Sequence, residues 1–385
     1  MKKIIGILIG GKSVEHEVSI VTGLQVFDNI DREKYEPVMI YINSDGKWFI
    51  GKCLNNINNY KSKSLDDAIE VIPYGVNQRL VLVENCKKRR SLFSKNSKQV
   101  VIDIVFPAVH GTNCEDGTLH GFFQMNNIPC AFGNTLSSAI GMDKVIMKKI
   151  FKSDGLPIPD FTWFYNNEYI DNAQIVLDNA EKLGYPLIVK PSNLGSSVGI
   201  NKASNRNELI FAIEVALSYD KKIIIEECIE NAREINCAIL GYENYLVSSM
   251  CEEPLGWKDF LTFEDKYMSG EKNSDIEKRK IPADIDTKAT ENIKKYAKQA
   301  FKSIDCEGNA RIDFLYDGNN IYINEINTIP GSIAFYMWEY SQIKFSELIT
   351  KILDIAEICN NDRASKIINY DIDLLNNMTK YNKCK

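Results

Sequence analysis

One run of the chain constrains it more than any other: Arg311-Ile-Asp313-Phe-Leu-Tyr-Asp317-Gly318-Asn319-Asn320-Ile-Tyr-Ile-Asn324-Glu325-Ile-Asn327-Thr-Ile-Pro-Gly331. Apolar and polar residues alternate on both sides of an Asp-Gly turn signal, which predicts a β-hairpin. Folding about Asn319 sets Asp313 opposite Glu325 and Arg311 opposite Asn327. Strand side chains alternate faces, so all four share one face. Two carboxylates and an amide oxygen then converge beside one fixed positive charge. That donor set suits Mg²⁺, and the arginine is placed to meet an oxyanion. The plain alternative is a solvated, charged surface.

A chain of 385 residues is too long for one small core, so two or three domains are expected. With 44% hydrophobic and 25% charged residues it is globular rather than disordered. A net charge of -6 argues against a nucleic-acid-binding surface. Its ten cysteines show neither a CxxC pair nor metal-ligand spacing, and Cys130, Cys237 and Cys306 lie in apolar segments. Reduced thiols fit that pattern better than a disulfide framework. The apolar run after Met1-Lys2-Lys3 is too short for a secretion signal, and Lys12, Glu15, His16 and Glu17 follow at once. No stretch reaches the ~18 apolar residues of a membrane span. A cytoplasmic location is expected.

Residues 3–9 read as a buried parallel strand ending in a Gly10-Gly11 turn, with a helix starting near Ser13. Strands over 36–42 and 100–106 complete a βαβ pattern and an N-terminal α/β domain ending near residue 125. The basic cluster Lys87–Arg90 reads as a solvated loop or edge. A helix is expected over 139–155, around Met142-Asp143-Lys144. Strands at 186–190 and 198–202 flank a Gly/Ser loop, and further strands follow at 223–227, 235–240 and 245–249. The polar excursion 251–279 has loop character. Helices over 285–305 and 342–358 flank the hairpin region, and the tail from Asn360 is loose or partly helical.

Gly6-Ile-Leu-Ile-Gly10-Gly11-Lys12-Ser13 satisfies the phosphate-loop pattern GxxxxGK[ST], but Ile-Leu-Ile falls inside the predicted strand. A phosphate loop must be open, so the match is read as accidental. In Lys190-Pro-Ser-Asn-Leu-Gly195-Ser196-Ser197-Val198-Gly199, small residues let N–H and hydroxyl groups close over phosphate oxygens, and Lys190 adds charge. The competing reading is a simple hairpin turn. Glu226-Glu227-Cys-Ile229 ends a strand and is followed by Glu234; a strand-end carbonyl and carboxylate can read an adenine edge, though most such acids are solvated. His110-Gly111 with Glu115-Asp116-Gly117 follows a strand end, where α/β folds bind ligands. His16, His110 and His120 lack metal-site spacing, and packing is the plain reading for His16 and His120. Lys266-Tyr267 lies in the long excursion, where a lid would neutralise phosphate and exclude water.

Together these motifs resemble the D-alanine–D-alanine ligase family of ATP-grasp enzymes over roughly residues 3–355. Gly10-Gly11-x-Ser13-x-Glu15-x-Glu17-Val-Ser19, Met142-Asp143-Lys144, the Lys190–Gly199 run and Glu325-x-Asn327-Thr328-x-Pro330-Gly331 carry the likeness, in order and spacing. The resemblance implies an α/β (α+β) ATP-grasp fold. Its parts would be an N-terminal substrate-binding domain (1–125), a central subdomain with the phosphate flap (126–225), a C-terminal catalytic subdomain with a lid (226–356) and a tail (357–385). It implies Lys144, Lys190 and the flap Ser196, Ser197 and Val198 on ATP phosphates, with Lys266 and Asn324 also at the nucleotide. Glu226, Glu227 and Ile229 would hold adenine and Glu234 the ribose. Asp313, Glu325 and Asn327 would carry two Mg²⁺, with Mn²⁺ as a substitute. Glu15 would bind the first D-alanine's ammonium in a network with Ser196 and Tyr267, with His110 close by. Arg311 and the Gly331 N–H would form an oxyanion hole. A homodimer is also implied.

The chain departs from the family pattern at the acceptor side. Members that make D-alanyl-D-alanine often carry Ser-Leu where this chain has Tyr336-Met337, within Gly331-Ser332-Ile-Ala-Phe-Tyr336-Met337-Trp338. The resemblance keeps Lys266-Tyr267 in the lid, and a lid lysine near the acceptor, with Lys266 on that substrate, suits a zwitterionic amino acid and disfavours D-lactate. This run looks like that of vancomycin-resistance D-alanine–D-serine ligases, so the expectation is ligation of D-alanine to D-serine. The alternative is a housekeeping D-alanine–D-alanine ligase of peptidoglycan synthesis. Another carboxylate–amine ligase, a phosphotransferase using Lys12 and a silent binding protein of this fold stay open.

Overall fold

The first strand, β1 (Lys3–Gly10), sends Ile5, Ile7 and Ile9 into one core and Leu8 into another, as its period of two requires. In this computed structural model residues 2–62, 64–65, 67–85, 99–255 and 279–367 are described. The Lys87–Arg90 cluster, Lys266-Tyr267 and everything after Ile367 lie outside the described residues. The helix expected near Ser13 begins three residues later as α1 (His16–Asn29), because residues 13–15 form a turn in which Ser13 Oγ accepts the Glu15 N–H. β2 (Tyr35–Ile42) then runs parallel to β1. β3 (Trp48–Ile50), a short helix α2 (Ile57–Lys61), β4 (Ile69–Val76) and β5 (Arg79–Glu84) extend the sheet antiparallel.

The single strand expected over 100–106 is two. β6 (Gln99–Ile102) pairs antiparallel with β5, whereas β7 (Ile104–Pro107) pairs parallel with β1. Asp103 makes the switch: its carboxylate accepts the Ile4 N–H at 2.9 Å and meets Arg79 at 3.0 Å. β6 and β7 are the two edges of this seven-stranded sheet, so Asp103 draws the edges together.

After α3 (Thr118–Met125), the helix expected over 139–155 also divides, into α4 (Thr135–Met142) and α5 (Lys144–Ser153). Asp143 breaks it with an extended backbone and caps α5, accepting the Val145 and Ile146 N–H groups at 3.1 Å. The same carboxylate takes Ser192 Oγ and Lys222 Nζ from the next sheet. That sheet is antiparallel, in the order β10 (Asn201–Ala203), β9 (Leu187–Pro191), β11 (Lys222–Glu227) and β8 (Phe161–Tyr165). Helices α6 (Asn166–Glu181) and α7 (Arg206–Leu217) share its core.

β12 (Arg233–Tyr242) and β13 (Tyr245–Ser248) begin a third sheet, and the pair β14 (Glu253–Pro254) and β15 (Arg279–Lys280) closes the two described ends of the polar excursion. Beyond α8 (Thr287–Ser303), β16 (Gly308–Tyr316) and β17 (Ile321–Asn327) complete the third sheet as the predicted hairpin. Arg311 pairs with Asn327 and Asp313 with Glu325, as expected. The register then slips, leaving Asn324 as an extra residue on β17 and turning its amide away from regular pairing.

After α9 (Phe335–Tyr340) the last helix, α10, runs Phe345–Ser365, past the expected end at 358. Asn360 donates to Asn127 O and Arg363 pairs with Glu307, so residues expected to be loose are tied down. Leu348, Ile349, Ile352 and Leu353 share a core with Ile5, Ile7 and Ile9. Among the described residues no helix is long and apolar enough to cross a membrane, and no cysteine pair is bridged.

Candidate functional site

A cavity of about 350 Å³ opens where the three large sheets meet. Glu15 and His110 reach it from the first sheet's loops, Lys144 and Ser196 from the second region, and Arg311, Glu325 and Asn327 from the hairpin. Gly10 and Gly11 turn the chain out of β1 with φ of +82° and +97°. Residues 6–10 stay in the strand and Lys12 points to solvent, so no phosphate-wrapping loop exists there. Gly111 must be glycine for a second reason: a Cβ there would lie 2.2 Å from Ser13 Oγ and 2.8 Å from Glu15 Oε2.

On the hairpin face Arg311 forks onto Asp313, with Nε to Oδ1 at 2.6 Å and Nη2 to Oδ2 at 2.8 Å. Asn327 Nδ2 also donates to Asp313 Oδ2, at 2.9 Å. Glu325 Oε2 stands 3.2 Å from Lys144 Nζ, which also donates to Leu194 O. Among the described residues no three carboxylate, imidazole or thiolate groups converge; the set here is two carboxylates and an amide. Hard oxygen donors that already draw cationic partners fit a divalent cation such as Mg²⁺.

The Gly/Ser loop arches over this face. Ser196 and Ser197 have φ near +56° and +57°, and Ser196 Oγ donates to Glu15 Oε1 across 181 residues of sequence. Below it, Lys190 Nζ donates to Glu226 Oε2 and to the bulged Asn324 Oδ1, both at 3.0 Å. These bonds join the second sheet to the third. Burial pushes the Glu226 carboxyl up, but Lys148 and Lys190 outweigh it and hold it below its ordinary value. Lys148 is wholly buried, 3.3 Å from Glu226, and burial lowers its pKa to about 8. Glu227 is turned aside, accepting the Asp160 N–H, while Ile229 is half-buried just beyond β11. Glu234 lines the cavity; Val198 lies in the loop outside its lining.

His110 is buried between Thr22 and Ile329. Its Nδ1 faces the Ile329 carbonyl at 3.1 Å, an acceptor only, so Nδ1 carries the proton and Nε2 accepts from Thr22 Oγ1 at 3.0 Å. Burial lowers its pKa to about 4, which keeps the ring neutral. Glu115 accepts the Gly111 N–H; burial and then Glu15 push it up to about 8.

Beyond Gly331, Ser332, Ile333 and Ala334 are all left-handed, with φ of 49°, 57° and 52°. Buried Asn309 secures this turn, donating to Ile333 O and accepting from Trp338 Nε1, each at 2.9 Å. Gly331, Ser332 and Tyr336 line the cavity. Met337 does not: it is fully buried in the core beside Trp338, because successive helical residues diverge by about 100°.

Sequence reasoning missed Lys148, Glu252 and Arg279. Lys148 is four residues from Lys144 and so shares its helix face, a signal that was readable. Glu252 and Arg279 meet across the long excursion, at 3.3 Å, and no local pattern announces them.

Residues 4–132 match the model of the D-ala D-ala ligase N-terminus and residues 150–354 that of the D-ala D-ala ligase C-terminus. The D-alanine–D-alanine ligase of Thermosipho melanesiensis is 40% identical, over 96% of this chain and 98% of that one. That of Thermosipho africanus is 38% identical over 96% and 97%. In structure, the D-alanine–D-alanine ligase from Coxiella burnetii aligns with a TM-score of 0.78, 26% identity and 99% of both chains. The VanG D-Ala:D-Ser ligase from Enterococcus faecalis aligns with 0.75, 31% identity, 92% of this chain and 100% of that one. With an ATP-grasp architecture and both family models matched, the chain belongs to the D-alanine–D-alanine ligase family and is an ATP-dependent ligase.

Proposed function

We propose that the protein joins D-alanine to a second D-alanine, with ATP, for cell-wall precursor synthesis. The observation that carries this reading is the convergence on one cavity of Arg311, Glu325 and Asn327, with buried Asp313 bonded to Arg311 and Asn327, of Lys144 and of the Glu15–Ser196 bridge. The curated relatives at 38% and 40% identity are named for this activity, which favours D-alanine over the D-serine expected from residues 331–338.

A carboxylate is a poor electrophile, so ATP must first convert it to an acyl phosphate. Lys144 and Lys190, with the N–H groups of Ser196, Ser197 and Val198, hold the phosphates as charge moves. Glu226, the backbone of Glu227 to Ile229, and Glu234 receive the nucleoside, while Asn324 orients Lys190. Asp313, Glu325 and Asn327 would hold Mg²⁺, which when bound would supply charge neutralisation at the phosphates. Glu15 takes the donor's ammonium, with neutral His110 beside it. The acceptor's free amine attacks the acyl carbon, a C–N bond forms, and phosphate leaves with the C–O electron pair as the amine sheds a proton. Arg311 and the Gly331 N–H stabilise the oxyanion. Positioning supplies much of the rate, up to ~7–11 kcal/mol in well-oriented systems. Lys266 and Tyr267, outside the described residues, complete the phosphate and Glu15 contacts in this reading.

We further place the protein in the cytoplasm as a homodimer. We divide it near residue 125 and, since a boundary at 225/226 would cut β11, a few residues later, between β11 and β12, which keeps each large sheet within one segment. D-Serine as acceptor is the second reading, favoured by the 31% likeness to the VanG enzyme and by the resemblance of the Gly331–Trp338 run, with its Tyr336-Met337, to D-alanine–D-serine ligases. A role in vancomycin resistance belongs to that reading alone. Steady-state kcat/KM with D-alanine against D-serine as acceptor tests the choice. A preference for D-alanine is expected, and a clear preference for D-serine reverses it.

A further inference from the structure

The acceptor amino acid brings a carboxylate as well as an amine, and that carboxylate needs a cation with donors to spare. Three described cations line the cavity: Lys144, Arg311 and Arg279. Lys144 is occupied by Glu325 and the Leu194 carbonyl, and Arg311 commits two donors to Asp313. Arg279 differs. Its guanidinium carbon stands over the Tyr336 ring, 3.8 Å from its centre, a cation–π contact that holds the fork beside the ring. Its Nη1 is 3.3 Å from Glu252 Oε1, yet among the described residues that nitrogen is buried without a hydrogen bond. Arg279 sits on β15, whose backbone is paired to β14 through Pro254, so the side chain starts from a fixed base. Glu252 is itself buried and receives Asn236 Nδ2 at 3.4 Å.

We propose that Arg279 binds the α-carboxylate of the acceptor, and that its contact with Tyr336 fixes the room left for the acceptor's side chain. The inference rests on the ligase reading and names a residue of its acceptor subsite. Glu252 keeps the guanidinium in the cavity before substrate arrives, without saturating its donors. Tyr336 supplies the aromatic face that makes a guanidinium useful there.

The test compares D-alanine with D-alaninamide as acceptors in the full-length enzyme, at saturating ATP. D-Alaninamide has no carboxylate to be phosphorylated, so it acts only as the acceptor. Loss of a charge-assisted contact predicts an acceptor KM for D-alanine raised about 10- to 100-fold in Arg279→Met, with the donor KM within about twofold. The wild-type preference for D-alanine over the amide should collapse in the variant. Arg279→Lys, which keeps the charge but loses the fork, should fall between the two, and it carries the test if Arg279→Met does not fold. An unchanged ratio of the two acceptors, or an effect on the donor KM alone, overturns the proposal while leaving the ligase reading intact. A wild-type enzyme that releases no phosphate with ATP and D-alanine removes both.

Discussion

The two ends of the cavity are built on opposite principles. At the hairpin end, charged groups lie two residues apart on adjoining strands, and regular pairing alone brings Arg311, Asp313, Glu325 and Asn327 together. At the other end, Tyr336 comes from a helix entered through three left-handed residues, Arg279 from a two-residue strand and Glu252 from a separate bridge. The first end is local chemistry on a repeating scaffold. The second is an assembly of distant pieces, held by Asn309 and by the contact of Arg279 with Tyr336. On the proposed reading, the reaction's shared steps would fall at the regular end and the choice of acceptor at the irregular one. A substitution at one end should therefore change rate, and at the other, selectivity.

The sharpest way to break this comparison is to strip the regular end. Glu325→Ala or Arg311→Ala should lower ATP- and D-alanine-dependent phosphate release by at least about 10³-fold. Arg311→Ala also leaves buried Asp313 without its fork, which costs about 3–5 kcal/mol in urea unfolding, so Glu325→Ala is the cleaner probe. Near-normal release from Glu325→Ala would remove the mechanism.

The scaffold that holds the irregular end should also show itself in stability. Trp338→Phe deletes the indole donor to Asn309 and leaves a buried amide oxygen unpaired, for a loss of about 1–3 kcal/mol. A chemical-denaturation midpoint equal to wild type would mean that Asn309 does not secure the turn. Between the two ends, Lys148→Met should raise the KM for ATP about tenfold, because Glu226 then depends on Lys190 alone. An unchanged ATP KM would reduce Lys148 to packing.

Smaller effects come from pH. Glu115 titrates at about 8 when folded and near 4.5 when free, so the native state holds a proton that the unfolded chain has lost between those values. Its contribution is whole below about pH 4.5 and is lost as pH rises through about 8. Glu115→Gln should flatten this decline in midpoints measured from pH 5 to 9; an unaltered slope would place the proton elsewhere. Least of all should change with Lys12→Ala, since Lys12 is exposed beside a strand that cannot wrap phosphate: kcat should stay within about twofold, the scale of a solvated surface substitution.

The same contrast explains what could be read from the chain. Strand alternation and a turn signal are short-range, so β16, β17 and their shared face were legible. The breaks at Asp103 and Asp143 were not, because each acid caps or bridges a partner far away in sequence, Ile4 and Arg79 in one case and Lys222 in the other. The slip that frees Asn324 for Lys190 is a tertiary adjustment that no alternation pattern encodes. Residues 331–338 were visible as unusual, but their partners Glu252 and Arg279 are joined only by folding. Met337 was expected at the cavity, and helical rotation puts it in the core.

The central claim is that this cavity forms a dipeptide and takes D-alanine as acceptor. Incubating the enzyme with ATP, D-alanine and D-serine together, and identifying products by mass spectrometry, tests it most directly. D-Alanyl-D-alanine with stoichiometric phosphate is the predicted outcome; D-alanyl-D-serine as the main product would contradict the acceptor assignment, and phosphate without dipeptide would contradict the claim itself.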